Sequence, residues 1–186
     1  MVGAMKVLSQ SSHQRGMTLI EVLVTILILS VGLLGMAALQ ARLQQSEMEA
    51  YQRSQALLLL NDMANRLTIN RNNVAALVTG TTGLGADTAS CASLGNTNKV
   101  EWCSALQGAG EVQGSSKLGA MIGGRGCVES LGGGEYLITV AWQGLGPLSA
   151  PPASIACGKN QYDGDSGCTD DMCRRVVTTI VRIANL

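Results

Sequence analysis

The most constraining feature of this chain is a long uncharged stretch near its start. No charged residue occurs from Val22 to Ala41, and the apolar run as a whole extends from Met17 to Leu39. A helix of that length can cross a hydrocarbon core of ~30 Å. Lys6 and Arg15 precede the run, so the positive-inside rule predicts a cytoplasmic N-terminal end and an exported remainder.

A single carboxylate, Glu21, interrupts the apolar run. An unpaired acid near a bilayer centre costs at least ~2.5 kcal/mol, so one interpretation gives Glu21 a functional role. The other interpretation places it at the cytoplasmic interface, where it stays hydrated. The residues alone leave both interpretations open.

All of the cysteines follow the apolar run: Cys91, Cys103, Cys127, Cys157, Cys168 and Cys173. Six cysteines in an exported region predict disulfide bonds, but their spacing does not choose among the possible pairings. The absence of a C-x-x-C pair disfavours structural zinc. Because the chain has 23 glycines and no phenylalanine, we expect aliphatic packing and disulfides to stabilise its head.

The start of the apolar run resembles the processing signature of type IV prepilins. From Arg15 to Val24 the sequence reads RGMTLIEVLV, with a basic residue and Gly16 first, then a hydrophobic residue, and Glu21 at the fifth position after the glycine. The continuation from Ile28 to Gln40 resembles minor pilins of the same superfamily. The resemblance implies an α+β pilin fold, with one long N-terminal helix packed on a small antiparallel sheet and disulfide-tied loops.

The resemblance also implies roles for single residues. Prepilin peptidase would cut after Gly16 and methylate the amine of Met17, and Glu21 would meet the Met17 amine of a neighbouring subunit. Other minor and major pilins would bind through the N-terminal helix, and a tip adhesin would act with them. The chain would lie in the inner membrane before assembly and in the pilus afterwards, with no cofactor. Pilins commonly carry a helix-bending proline in this segment, and here Gly32 and Gly35 stand in a segment without one.

Four segments are expected along the chain: a cleaved leader (1–16), a membrane half (17–41) and an amphipathic half (42–67) of the helix, and a periplasmic head (68–186). In the amphipathic half, apolar residues recur at helical spacing and predict a buried face: Ala56, Leu60, Met63 and Leu67. One continuous helix and two abutting helices both satisfy this pattern.

The head is predicted to hold its strands in its second half. Residues 68–124 are interpreted as a connecting region with one short helix at 100–106, and Gly83 to Gly85 as a turn. Strands are predicted at 126–130, Tyr136–Trp142 and Arg174–Ile183, with a glycine hairpin at 132–134. The loop of about thirty residues before the last strand holds three of the cysteines, and we expect a disulfide to close it.

The sequence offers little catalytic or metal chemistry. Its only histidine is His13, inside the expected leader, which disfavours Ser-His-Asp and Cys-His catalysis, so no enzyme is predicted. A net charge of zero without basic clusters disfavours nucleic acid. One acidic cluster suggests a calcium site, but its spacing does not fit an EF-hand loop, and a solvated, disulfide-tied loop is expected instead: Asp163, Asp165, Asp170 and Asp171.

Three other functions remain open from the sequence. A pseudopilin of type II secretion would share the prepilin signature. A single-pass anchored binding module, recognising its ligand through the cysteine loop, would need neither processing after Gly16 nor a role for Glu21. A periplasmic enzyme is the remotest of the three because it would lack histidine.

Overall fold

The computed structural model describes residues 16–110, 112–114, 116–117, 121–164 and 167–184. The chain divides between Gln44 and Gln45 into two compact units. Helix α1 (Leu19–Ile69) begins in the first unit and ends in the second, so the prediction of one continuous helix is confirmed. The expected leader lies outside the described residues except for Gly16, so the structure does not address Lys6, His13 or Arg15.

The second unit combines the later part of α1 with a second helix and two antiparallel sheets. The elements after α1 are a 3-10 helix (Arg71–Leu77), β1 (Gly80–Gly85), a 3-10 turn (Cys91–Leu94), α2 (Thr97–Leu106), β2 (Val112–Gln113), β3 (Ser116–Lys117), β4 (Arg125–Gly132), β5 (Glu135–Gln143) and β6 (Arg174–Arg182). The main sheet has the order β1-β4-β5-β6, and β2 pairs with β3 alone. The predicted α+β fold is confirmed.

The three predicted strands are present as β4, β5 and β6, which lie next to one another in the main sheet, with β6 at its edge. β4 and β5 make a hairpin in which Gly132 pairs with Glu135, and Gly133 and Gly134 adopt positive φ angles of 59° and 79°. Positive φ is readily available to glycine, which is why a glycine run serves as this turn. β6 pairs with β5 along its whole length, from Gln143 opposite Arg174 to Glu135 opposite Arg182.

The interpretation of residues 68–124 as a mere connecting region was wrong. The short helix is present as α2, but Gly83 to Gly85 lie in β1, which pairs with β4, and not in a turn. β1 was not predicted from the sequence because glycine has a low strand propensity. Glycine is required there by close approach: a Cβ on Gly83 would lie 2.6 Å from the carbonyl oxygen of Gly126.

The core lies between α1, α2 and the main sheet. The predicted face of α1 is buried, and its four residues belong to one cluster with Val128, Ile138 and Val140 of the sheet. The expected aliphatic packing is present, and Trp102 and Trp142 are also buried in that cluster.

All six cysteines form disulfides, as predicted, and the structure gives their pairing. Cys91 is bonded to Cys103, Cys127 to Cys157, and Cys168 to Cys173. The long loop between β5 and β6 is therefore fastened twice. Cys157 ties its middle to β4, and Cys168–Cys173 closes its last few residues.

Candidate assembly segment

The described part of the first unit is an apolar helix. Its large hydrophobic side chains are exposed, from Leu19 through Leu39. Among the described residues, α1 is the one helix long and apolar enough to cross a membrane. Exposure of such a surface to water is unfavourable, so this segment fits a lipid environment or the apolar sides of other helices.

The polar side chains of this segment fall into two kinds. The Thr25 hydroxyl donates to the Val22 carbonyl at 2.8 Å, and the Ser30 hydroxyl donates to the Ile26 carbonyl at 2.7 Å. Both hydroxyls are thus satisfied within the helix, as an apolar environment requires. Within the described residues, the carboxylate of Glu21 has no hydrogen bond or ion pair. A carboxylate can only accept hydrogen bonds, so in an apolar environment Glu21 would need a donor from outside the described part of this segment.

Gly16 and Met17 lie directly before the first turn of α1. Met17 is 70 % exposed, and the first turn is held by bonds from the amides of Glu21 and Val22 to the Thr18 carbonyl, at 3.0 and 3.3 Å. A Cβ on Gly16 would have nothing within 4 Å. The described fold therefore does not itself require glycine at this position.

The predicted acidic loop is organised by hydrogen bonds within the protein. Asp163 accepts from the Asp171 amide at 2.8 Å, Asp171 accepts from the Asn160 amide at 2.7 Å, and Asp171 pairs with Arg174 at 3.1 Å. Asp165 lies outside the described residues. Within the described part of the chain, no group of three metal-ligating side chains comes together. The carboxylates of Asp163 and Asp171 are thus engaged in holding the loop.

Two buried arginines of the head were not anticipated from the sequence. Arg174 donates to the carbonyl oxygens of Ile155 and Cys157, at 2.8 and 3.0 Å. These bonds connect the loop between β5 and β6 to the start of β6. Arg125 pairs with Asp87, which is 38 positions away in the chain. Residues so far apart in the chain form no local sequence pattern, and an arginine at the start of a strand is common. The ion pair could therefore not be predicted from the sequence.

Two family models match the chain. Residues 11–37 match the prokaryotic N-terminal methylation motif, and residues 38–110 match the type IV pilin Tt1218 model. Comparison with curated proteins and with solved structures gave no match. The matched regions meet between Ala37 and Ala38 and together cover the apolar run, the amphipathic part of α1 and the first part of the head. The chain thus combines the N-terminal methylation motif of prepilins with the α+β fold of type IV pilins.

Proposed function

We propose that this chain is a minor pilin of a type IV pilus, similar to the minor pilin PilV. Prepilin peptidase removes residues 1–16 and methylates Met17, and residues 17–41 hold the subunit in the inner membrane with the head (68–186) in the periplasm. Residues 42–67 join the membrane segment to the head. The subunit then enters the filament beside other minor and major pilins, together with a tip adhesin, and takes part in initiating assembly.

The single observation that carries this proposal is the isolation of Glu21. Its neighbours Thr25 and Ser30 satisfy their hydroxyls on the helix backbone, whereas no described residue supplies a donor to the Glu21 carboxylate. An ammonium group offsets the cost of a carboxylate in an apolar medium. The processed amine of Met17 on an adjacent subunit is such a group, and it becomes available only after cleavage.

The glycines of the segment support the same proposal. Cβ atoms on Gly16, Gly32 and Gly35 would each meet nothing within 4 Å. The described fold therefore gives no reason for glycine at these positions. Recognition by a peptidase accounts for Gly16, and close approach of partner helices accounts for Gly32 and Gly35.

The test compares filament-bound with membrane-bound protein in cells that make single variants. We expect Glu21→Gln and Glu21→Ala to reduce the filament-bound fraction by more than about tenfold, since losing one partner of a buried ion pair costs about 2 kcal/mol or more. Thr25→Val is the matched control, because it removes a polar group that the helix satisfies locally. It should leave incorporation unchanged.

Incorporation of both Glu21 variants at the wild-type level would show that the charge of Glu21 is only tolerated at the membrane interface. The assembly role of Glu21 would then be wrong.

Deletion of the gene separates the pilus from the type II secretion alternative. Loss of surface pili with intact protein secretion supports the minor pilin, whereas the reverse pattern supports a pseudopilin.

A further inference from the structure

A polar cleft lies on the head between β1, the start of β4 and the disulfide-tied loop. Its volume is about 300 Å³. Its lining includes six polar or charged side chains: Thr81, Thr82, Asp87, Arg125, Lys159 and Gln161. All of them belong to the second unit, so the cleft is a feature of the head alone.

Arg125 is the buried charged residue among those that line this cleft. It is only 8 % exposed, and its guanidinium lies 5.6 Å from the centre of the Tyr162 ring. One of its terminal nitrogens, Nη1, donates to Asp87, while its buried Nε has no hydrogen-bond partner among the described residues. A guanidinium carries five donor hydrogens, and the interactions of Arg125 with Asp87 and Tyr162 do not use all of them.

Asp87, the ion partner of Arg125, is largely exposed to solvent. The Asp87 side chain is 65 % exposed, and exposed carboxylates exchange readily with water. The hydrogen bond from Arg125 holds the pKa of Asp87 below its usual value, so Asp87 is charged at neutral pH. A second carboxylate entering the cleft would compete with Asp87 for the same guanidinium.

The walls of the cleft are fixed before any ligand arrives. The Cys127–Cys157 disulfide ties the loop to β4 beside Arg125. The Tyr162 hydroxyl donates to the Gly123 carbonyl at 2.8 Å, and a Cβ on Gly158 would lie 2.8 Å from the Tyr162 ring. A site held in this way loses little conformational entropy on binding.

The charges and hydrogen-bonding groups of the cleft define its ligand. Arg125 and Lys159 outnumber Asp87 and give a net positive charge of one, which favours an anion. The hydroxyls of Thr81 and Thr82 and the amide of Gln161 can both donate and accept, which matches sugar hydroxyls. The volume lies at the small end for ligand sites and suits a single ring.

We propose that this cleft binds an acidic sugar, with the carboxylate of a uronic acid placed between Arg125 and Lys159. The ring hydroxyls would then face the threonine and glutamine side chains. Sugar binding would be a function additional to assembly, because the binding residues lie in the head and not in the cleavage site or the membrane segment. It would not depend on Glu21.

The test is a calorimetric titration of the full-length chain in detergent micelles with glucuronate. We expect saturable binding that glucose does not reproduce, because glucose lacks the carboxylate, and that acetate reproduces only weakly, because it lacks the hydroxyls. Lys159→Gln should weaken glucuronate binding about tenfold, the effect of losing one charge-assisted bond. Asp87→Asn should strengthen binding, because it removes the competing carboxylate.

General charge attraction predicts the same opposite signs for these two variants, so a control that changes charge outside the cleft is needed. Arg71→Gln removes one positive charge from an exposed position outside the cleft and should leave affinity unchanged. Glucuronate that fails to bind saturably, acetate that binds as tightly as glucuronate, or Lys159→Gln with unchanged affinity would each overturn the proposal. Lys159 is exposed, so its replacement does not endanger folding.

Discussion

The indole ring of Trp102 lies directly against the backbone of Gly126. A Cβ on Gly126 would be 2.2 Å from Cη2 of that ring, well inside any permitted contact. The ring is fully buried, and its Nε1 donates to the Leu59 carbonyl at 2.9 Å. One residue of α2 thereby joins α1 to β4, and the head depends on glycine at the point of contact.

Replacing Gly126 by alanine should destabilise the head by about 3 kcal/mol, because the new methyl group forces the buried indole or the strand to move. The free energy of unfolding from a urea titration measures this. Gly110→Ala is the control, since a Cβ there would have nothing within 4 Å. Its stability should lie within about 0.5 kcal/mol of wild type. Equal effects of the two changes would refute the close packing described for Trp102.

Removing different disulfides should have unequal effects. The Cys127–Cys157 bond spans 30 positions, and the chain-entropy model assigns it about 3.6 kcal/mol. The Cys168–Cys173 bond spans 5 positions and is assigned about 2 kcal/mol. Paired alanine variants, compared by urea unfolding, should therefore rank in that order. The opposite ranking would mean that the loop is held chiefly by the hydrogen bonds of Arg174 and the acidic residues.

The Arg125–Asp87 pair should make stability depend on acid pH. The hydrogen bond from Arg125 lowers the pKa of Asp87 from its unfolded value of 3.8, so its stabilisation is complete above that pH. The stabilisation is lost as the pH falls through the lower folded pKa. Because Asp87 is largely exposed, we expect less than about 1 kcal/mol.

Unfolding of wild type and Asp87→Asn should be compared from neutral pH downwards. The wild type should be the more stable above pH 3.8, and the difference should shrink at lower pH. A difference that stays constant with pH would assign the effect to packing and not to the charge of Asp87.

Elements with strong local patterns were predictable from sequence. α1 follows from its apolar run and the helical spacing of its buried face, and β5 follows from simple alternation of side chains. β1 was missed because its glycines carry no pattern, and the contact that requires Gly83 is with Gly126 on another strand. The disulfide pairing was also beyond the sequence, since it depends on which segments the sheet and α2 bring together. For the same reason the cleft at Arg125 was not foreseen, whereas Glu21 stood out as a lone charge among apolar residues.

The most direct test of the account is the mass of the N-terminal peptide of the mature protein, isolated from membranes. Cleavage after Gly16 predicts a peptide that begins at Met17 and carries one additional methyl group on its amine. A Gly16→Leu variant should remain as the uncut precursor, while Gly32→Leu, which changes a glycine beyond the cleavage site, should still be processed. A mature chain that retains residues before Gly16, or one that begins after Leu39, would contradict the assignment as a prepilin.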